Sequence, residues 1–241
     1  MRRISAGEEG LCPPEPQAVR EPTMTKSSRD RGSRVSHGVL PGGLAEGARG
    51  GLAPLARRLA QLGVTANSVT FVGFALSIVG AGFVAAAQPV TALAVLVVGS
   101  QCDTLDGALA RASGGGTKLG AFLDSTFDRL SDGAFFGAAA ALGATTADPL
   151  LFWAALVALV ASFQVSYVRA KAEQAGLNAT VGPAPREARL VILLIGLGGW
   201  ALLGSTVPFM VAVVATAILS TITLVQRVVL VARALGAQER K

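Results

Sequence analysis

Charged residues and histidine are scarce in this chain, and each scarcity narrows the possible functions. Only 15% of its 241 residues are charged while 51% are hydrophobic, a balance too apolar for an ordinary soluble domain, which indicates a membrane protein. The single histidine, His37, lies in a polar N-terminal stretch, so histidine-based catalysis and His-rich metal sites are not expected. The two cysteines, Cys12 and Cys102, lie in unlike surroundings and indicate no disulfide framework.

The N-terminal region lacks any apolar periodicity. Residues 1–48 are rich in Pro, Gly, Ser, Arg and Glu, and they predict a disordered basic tail without the apolar core of a signal peptide. Met24 is a candidate start beside Met1, and both alternatives stay open. The membrane domain is expected over 49–235, followed by a short basic tail over 236–241.

Long apolar stretches dominate the rest of the chain. A membrane-spanning helix needs about 20 mostly apolar residues. Six stretches qualify, and they cover about 68–87, 90–112, 119–143, 149–172, 187–204 and 208–234. Alanine, glycine, leucine and valine prevail in them, which suits close helix packing in lipid. The sequence therefore predicts an all-α membrane protein with six transmembrane helices.

The distribution of positive charge predicts the orientation of these spans. The short separators near 88–89, 144–148 and 205–207 carry no Lys or Arg, whereas the segments on the opposite side do. The positive-inside rule then puts both termini in the cytoplasm of a multi-pass protein of the cell membrane. We attribute the net charge of +6 to topology and anionic lipid headgroups, and we expect no nucleic-acid partner.

An amphipathic stretch, GLAPLARRLAQLG, precedes the first span. Its apolar residues recur at helical spacing, and they are Leu52, Leu55, Ala56, Leu59 and Leu62. This pattern predicts a juxtamembrane helix that lies on the inner membrane surface. A short solvated connector is the alternative.

Four carboxylates interrupt the second and third spans. Asp103 and Asp106 are three residues apart near the end of span 2. Asp124 and Asp128 are four residues apart near the start of span 3. Such spacings put each pair on one helix face, and the short glycine-rich turn suggests antiparallel neighbours whose faces meet. Gathered carboxylates in a membrane need a cation, and oxygen ligands suit Mg²⁺ or Mn²⁺. We expect a divalent metal site, with two ions as in two-metal phosphoryl chemistry.

Small residues and an arginine accompany the acids. Gly107 and Ala110 lie on the acidic face of span 2, and Gly120 lies one turn before the first acid of span 3. The missing side chains leave room for a flat or bulky ligand. Arg111 lies at the rim, where a guanidinium could hold a phosphate.

The stretch from Asp103 to Asp128 has the pattern D-x2-D-G-x2-A-R-x8-G-x3-D-x3-D. This pattern resembles the signature of the CDP-alcohol phosphatidyltransferase family at all eight fixed positions. The six-span layout is also similar to that family, so the resemblance covers roughly residues 50–235. It implies a homodimeric membrane enzyme that transfers a phosphatidyl group from CDP-diacylglycerol (CDP-DAG) to an alcohol and releases CMP.

The resemblance also implies roles for individual residues. Metal ligation would fall to Asp103, Asp106 and Asp124. Asp128 would be a metal ligand, the catalytic base, or both. The CDP part of the donor would contact Gly107, Arg111 and Gly120.

Three further segments of the sequence indicate the acceptor alcohol. The segments GAFLDSTFDRLSDGAFF, SYVRAKAE and PREARL are similar to the bacterial branch of the family that makes phosphatidylinositol phosphate, which implies inositol phosphate as the acceptor. A cationic pocket for the acceptor's phosphate would comprise Arg169, Lys171, Arg186 and Arg189. Alternatively, these residues serve only topology, and the acceptor is glycerol 3-phosphate or another alcohol.

The sequence differs from the usual family motifs at two places and has one additional acidic residue. The sequence has TAN where the family usually has T-P-N, and PREARL where E-R-x-E-R-L is usual. Asp132 extends the acidic stripe by one turn, and Arg129 or Arg227 is its expected partner.

A cation transporter is the distant alternative to an enzyme. Clustering of the acids at one end and the lack of a repeat favour the enzyme.

Overall fold

Helices account for all the regular structure of the described residues. The computed structural model describes residues 54–240, so the predicted tail over 1–48 lies outside the described residues. A short helix, α1, covers 54–61. Six longer helices follow, and they are α2 (Ala66–Ala85), α3 (Pro89–Ala112), α4 (Lys118–Thr145), α5 (Pro149–Gln174), α6 (Arg186–Leu203) and α7 (Val207–Gln238). The all-α prediction is confirmed for this part of the chain, and the helices match the six predicted stretches to within a few residues.

Local sequence signals explain where these helices begin. The side chain of Thr65 caps α2, and that of Thr117 caps α4 by accepting a hydrogen bond from the Gly120 amide at 2.9 Å. Asp148 caps α5 by accepting from the Leu151 amide at 3.0 Å. Such caps satisfy amides that have no partner within the helix. The short links therefore reverse the chain at defined points.

The six long helices form a closed ring of neighbours. Helix α2 packs against α3 and α4, α5 packs against α4 and α7, and α6 packs against α7 and α3. The order around the ring is thus α3, α2, α4, α5, α7 and α6, which differs from the order along the chain. Helix α2 therefore lies between α3 and α4, the two helices that carry the four acids.

The main hydrophobic core fills the end of the ring away from these acids. It includes the fully buried Phe136, Leu197 and Phe209, which come from α4, α6 and α7. Small residues let the helices approach closely, since a Cβ at Gly196 would lie 2.3 Å from the Cβ of Ala212. The apolar end of the bundle is therefore closely packed, and polar side chains occupy the acidic end.

Among the described residues, four helices are long and apolar enough to cross a membrane, and they are α2, α3, α5 and α7. This composition agrees with a membrane protein. Helices α4 and α6 do not meet the same criterion, because charged residues interrupt their apolar sequence. The structure thus confirms the coarser prediction of several apolar helices, while the number six stays a prediction.

Helix α1 lies against the acidic end of the bundle. Ala56 is buried and belongs to a small cluster with Val69, Ala108 and Leu109. Leu55 remains 45% exposed. The predicted juxtamembrane helix is described only from residue 54, and its place on the membrane surface stays a prediction.

Candidate active site

The four predicted acids lie on two helices that do not pack directly against each other. Asp103 and Asp106 lie in the last turns of α3, and Asp124 and Asp128 lie in the first turns of α4. We expected α3 and α4 to be direct neighbours, and among the described helices this is wrong, since each packs against α2 instead. The physical reason is that α2 occupies the space between them, which leaves a gap beside the carboxylates.

The carboxylates nevertheless share one electrostatic environment. Asp103 and Asp128 repel each other, and Asp124 repels both. Asp106 is repelled by Asp103 and Asp124. Like charges held this close destabilise one another unless a cation lies among them. The four acids thus lie near enough to interact electrostatically across a gap at one end of the bundle, and their action as one metal site stays a prediction.

A guanidinium lies among these acids. Arg186 is the first residue of α6. Its Nη1 atom is 2.8 Å from Asp128 Oδ1 and 3.2 Å from Asp103 Oδ2. Within residues 54–240, no three histidine, cysteine or acidic side chains are gathered closely enough to form a ready-made metal site. The acids of α3 and α4 are thus bridged by a cationic side chain from a third helix, which shows that the site accommodates positive charge.

A hydroxyl from α2 holds one of the acids. Thr70 Oγ1 donates to Asp106 Oδ2 at 2.6 Å, a length typical of a charge-assisted bond. Both side chains are buried, at 7% and 8% exposure. The hydroxyl also lies 3.0 Å from the Ala66 carbonyl, but it has one proton, and the shorter contact to the carboxylate is the stronger. Asp106 therefore has a fixed orientation.

A large cavity opens beside the acids, between α2, α3 and α4. Its volume is about 700 Å³, and both Asp106 and Asp124 line it. Gly107 and Gly120 line it too, as predicted from their lack of side chains. A Cβ at Gly120 would lie 2.9 Å from the Asn67 side-chain oxygen. The cavity is large enough for a nucleotide-sized ligand, and its walls are shaped by these glycines.

Arg111 lies beside this cavity. Its Nη1 atom is 3.5 Å from the position that a Cβ at Gly107 would take. The side chain is exposed, so the guanidinium is free to turn toward an anion at the cavity rim. Arg111 itself does not line the cavity, so its contact with the donor stays a prediction.

The four predicted acceptor-pocket residues do not form one cluster. Arg169 pairs with Glu173 at 2.9 Å within α5, and Lys171 lies 5.8 Å from the centre of the Tyr167 ring. Arg189, by contrast, is 4% exposed. Only Arg186 is positioned directly beside the acids.

Asp132 has other partners than the two we expected. Its Oδ2 atom accepts from Arg189 Nη2 at 2.9 Å, and its Oδ1 atom is 3.9 Å from Arg186 Nε. The expected partners were Arg129 and Arg227. Arg129 instead lies 3.6 Å from Asp128, and Arg227 donates to backbone carbonyls. Helical spacing indicated which face Asp132 occupies, but no local signal identified the helix opposite it.

Thr70 was not predicted as a site residue. It lies 36 positions before Asp106, so helical periodicity within either helix could not pair them. The only local signal is that Thr70 lies one turn after the TAN segment that precedes the first span.

The fold and the site together define a class of protein: a bundle of apolar membrane helices with a carboxylate cluster beside a glycine-walled cavity. Comparison with known proteins agrees with this class. Residues 63–225 match the model of the CDP-alcohol phosphatidyltransferase family. The chain belongs to this family, which decides between the enzyme and transporter alternatives in favour of the enzyme.

Individual relatives are similar over most of their length. The phosphatidylinositol phosphate synthase of Mycolicibacterium smegmatis is 40% identical over 200 residues, which cover 77% of this chain and 86% of that protein. The archaetidylinositol phosphate synthase of Pyrococcus horikoshii is 40% identical over 176 residues, which cover 72% of this chain and 87% of that protein.

Solved structures show the same fold. The crystal structure of Mycobacterium tuberculosis phosphatidylinositol phosphate synthase with CDP-DAG bound has a TM-score of 0.70 and 36% identity, and the match covers 75% of this chain and 92% of that one. A crystal structure of the same synthase in complex with manganese and citrate also has a TM-score of 0.70, at 37% identity, covering 75% of this chain and 88% of that one.

Proposed function

We propose that this protein transfers a phosphatidyl group from CDP-DAG to inositol phosphate, giving phosphatidylinositol phosphate and CMP. The observation that carries the proposal is its 40% identity, over 77% of the chain, to a phosphatidylinositol phosphate synthase. The site supports the same chemistry, because an acid cluster adjoins a cavity large enough for the donor. The acceptor's hydroxyl would attack the phosphorus next to the lipid, and the bond to CMP would break.

The donor would occupy the cavity between α2, α3 and α4. Gly107 and Gly120 leave its wall open to a flat nucleotide, and both line it. Arg111 at the rim would pair with a donor phosphate, because a guanidinium fork matches phosphate oxygens. The diacyl part would extend into lipid beside the exposed apolar side chains of α2.

A divalent metal fits the chemistry of the acid cluster. Asp103 and Asp124 each repel the other three carboxylates, and Arg186 already contacts two of the four, so the region favours positive charge. The residues that would hold Mg²⁺ or Mn²⁺, in two sites, are Asp103, Asp106, Asp124 and Asp128. The bound metal would neutralise charge on the phosphates of the reacting donor. A relative's structure in complex with manganese supports the choice of a divalent ion.

Asp128 is the proposed catalytic base. It lies one helical turn after Asp124, and it is closest to Arg186, which faces the proposed acceptor side. A carboxylate at this position could accept the proton of the attacking hydroxyl, provided that the hydroxyl comes within hydrogen-bonding distance. Most of the rate enhancement would come from positioning and charge neutralisation, as in other phosphoryl transfers.

The acceptor's phosphate would bind beside Arg186. This guanidinium is the cationic group nearest the acids, and a charged, bidentate partner suits a phosphate dianion. Arg169 and Lys171 are exposed at the end of α5 and would attract the acceptor from solution. Arg189 is buried beside Asp132, and its contact with the acceptor stays a prediction.

We further propose six membrane spans, with α4 and α6 added to the four most apolar helices. Their charged residues all lie toward the acidic end, and the rest of each helix is apolar. The acidic end would face the cytoplasm, since Arg169, Lys171 and Arg186 lie at that end. Residence in the cell membrane and a homodimeric assembly are parts of the same proposal.

The test is CMP release by purified protein given CDP-DAG, a divalent metal and a panel of acceptors. We expect the highest kcat/KM with inositol phosphate, lower values with glycerol 3-phosphate, and little turnover with unphosphorylated inositol. A preference for glycerol 3-phosphate would contradict the acceptor assignment while leaving the family chemistry intact.

A further inference from the structure

Helix α2 carries no acid, but its backbone approaches α3 closely beside one of the four acids. The point of approach is the buried Gly73, where a Cβ would lie 2.9 Å from the Cβ of Cys102 and 3.4 Å from Asp103 Oδ1. On the α3 side, a Cβ at Gly99 would lie 3.5 Å from the Gly73 carbonyl oxygen. Glycine on both helices therefore lets the two backbones come together next to Asp103.

The same face of α2 also holds the other acid of α3. Thr70 lies three residues before Gly73, so both residues lie on one face of the helix. Thr70 donates to Asp106 at 2.6 Å, whereas Gly73 lies beside Asp103. Helix α2 thus contacts one acid through a hydroxyl and approaches the other through a missing side chain.

The next residue of α2 is held by α4. The ring of Phe74 stacks on that of Phe127, with centroids 4.7 Å apart and the planes 10° from parallel. Phe127 immediately precedes Asp128. Moving α2 away from α3 would disturb this stacking, so an added side chain at Gly73 would displace α3 or α4. The two consecutive residues of α2 therefore hold the two helices next to their acids.

The size of the displacement can be compared with what a metal site tolerates. Two carbon atoms prefer a separation of about 3.5–4.0 Å, so a Cβ at Gly73 requires α2 and α3 to separate locally by roughly 0.5–1 Å. Functional side chains need to be held to within about 0.5 Å, and Mg²⁺ requires nearly ideal geometry with ligands at about 2.0–2.1 Å. A shift that the fold can absorb is thus large enough to disturb a metal site.

We propose that Gly73 is a positioning residue, whose missing side chain sets the separation of Asp103 from Asp128 and thereby the affinity of the acid cluster for a divalent metal. This inference rests on the proposed function, since metal binding by the acids is part of it. Gly73 does not line the donor cavity, and its effect passes through Asp103. Disturbing it should therefore weaken metal binding beyond any effect on stability.

The experiment titrates purified full-length variants with Mn²⁺, with free Mn²⁺ measured by electron paramagnetic resonance, and records the Tm of each. G73A adds the Cβ beside Asp103. G80A is the matched control for packing, because its Cβ would lie 2.6 Å from Leu96 Cγ, two turns further along α2 and away from the acids. G82A is the silent control, since a Cβ at Gly82 has open space among the described residues.

A second pair of variants tests whether the contact with Cys102 causes the effect. G73A/C102G removes the α3 carbon that the new Cβ would meet, so the helices can return to their original separation. G73A/C102A removes the thiol but keeps that carbon, and it is the matched control for the rescue. The two double variants therefore separate steric relief from loss of the cysteine sulfur.

We expect G73A to bind Mn²⁺ about tenfold more weakly or worse, the usual effect of disturbing the support of a metal ligand. G80A and G82A should stay within about twofold of the wild type, although G80A should lower the Tm at least as much as G73A does. G73A/C102G should recover Mn²⁺ affinity to within about threefold of the wild type, and G73A/C102A should remain as weak as G73A.

Three results would overturn the inference while the proposed function stands. They are wild-type Mn²⁺ affinity in G73A, an equal loss of affinity in G80A, which would mark Gly73 as merely structural, and equal affinity in the two double variants. If the wild-type protein itself binds no Mn²⁺, the proposed metal site fails together with this inference.

Discussion

Replacing Thr70 by valine should weaken metal binding without changing the shape of the site. Valine has nearly the same volume as threonine, so the substitution removes the hydroxyl that donates to Asp106 Oδ2 at 2.6 Å and little else. Thr70 is 7% exposed but lines the cavity together with Asp106, so water that replaces the hydroxyl would not be held in its position by α2. Asp106 would keep its place on α3 but lose the bond that fixes its orientation.

The magnitude follows from the type of bond. A hydrogen bond to a charged group contributes about 1.5–3 kcal/mol, and changes to the partners of metal ligands typically cost about 10- to 100-fold in affinity. We expect the T70V variant to bind Mn²⁺ about 10- to 100-fold more weakly. Its kcat at saturating metal should fall much less, because Asp106 itself remains.

The assay is titration of purified protein with Mn²⁺, with free Mn²⁺ measured by electron paramagnetic resonance, alongside the metal dependence of CMP release. Thr70→Ser is the matched control, since serine retains a hydroxyl at the same position. T70S should bind Mn²⁺ nearly as the wild type does. Equal Mn²⁺ affinity in T70V and the wild type would refute the idea that Asp106 is a metal ligand oriented by Thr70.

Three further predictions concern other parts of the molecule. Excess EDTA should abolish CMP release, and added Mg²⁺ or Mn²⁺ should restore it; full turnover in EDTA would exclude the metal assignment. Arg186→Gln should raise the acceptor KM about 10- to 150-fold, the equivalent of about 1.5–3 kcal/mol, and an unchanged acceptor KM would contradict its role. Gly196→Ala should destabilise the fold by about 1–3 kcal/mol, because its Cβ would lie 2.3 Å from that of Ala212. Gly198→Ala on the same helix meets its nearest neighbour only at 3.8 Å, so equal thermal stability of the two variants would disprove this packing argument.

The helices could be predicted from the sequence because their signals are local. Proline follows Gln88 and Asp148 where α3 and α5 begin, and Thr117 precedes α4 as a cap. The acids could be placed on helix faces for the same reason, since spacings of three and four residues act within one helix. The shared helix face of Asp103 and Asp106 could therefore be predicted without knowledge of the rest of the fold.

The neighbours across the bundle could not be predicted in this way. The order around the ring places α2 between α3 and α4, and no periodicity within α3 or α4 reveals it. The bond from Thr70 to Asp106 and the pairing of Asp132 with Arg189 depend on that order, across 36 and 57 positions. Arg189 was expected in the acceptor pocket because the PREARL segment resembles the branch that uses inositol phosphate, but its burial beside Asp132 depends on the opposite helix.

The most direct test of the central claim is to follow the phosphate of the acceptor. Purified protein in detergent or vesicles would be given CDP-DAG, Mg²⁺ or Mn²⁺, and inositol phosphate labelled in its phosphate group. The account predicts that the label moves into a chloroform-soluble lipid, with one CMP released for each label transferred. Release of CMP with the label left in the aqueous phase would contradict transfer to inositol phosphate.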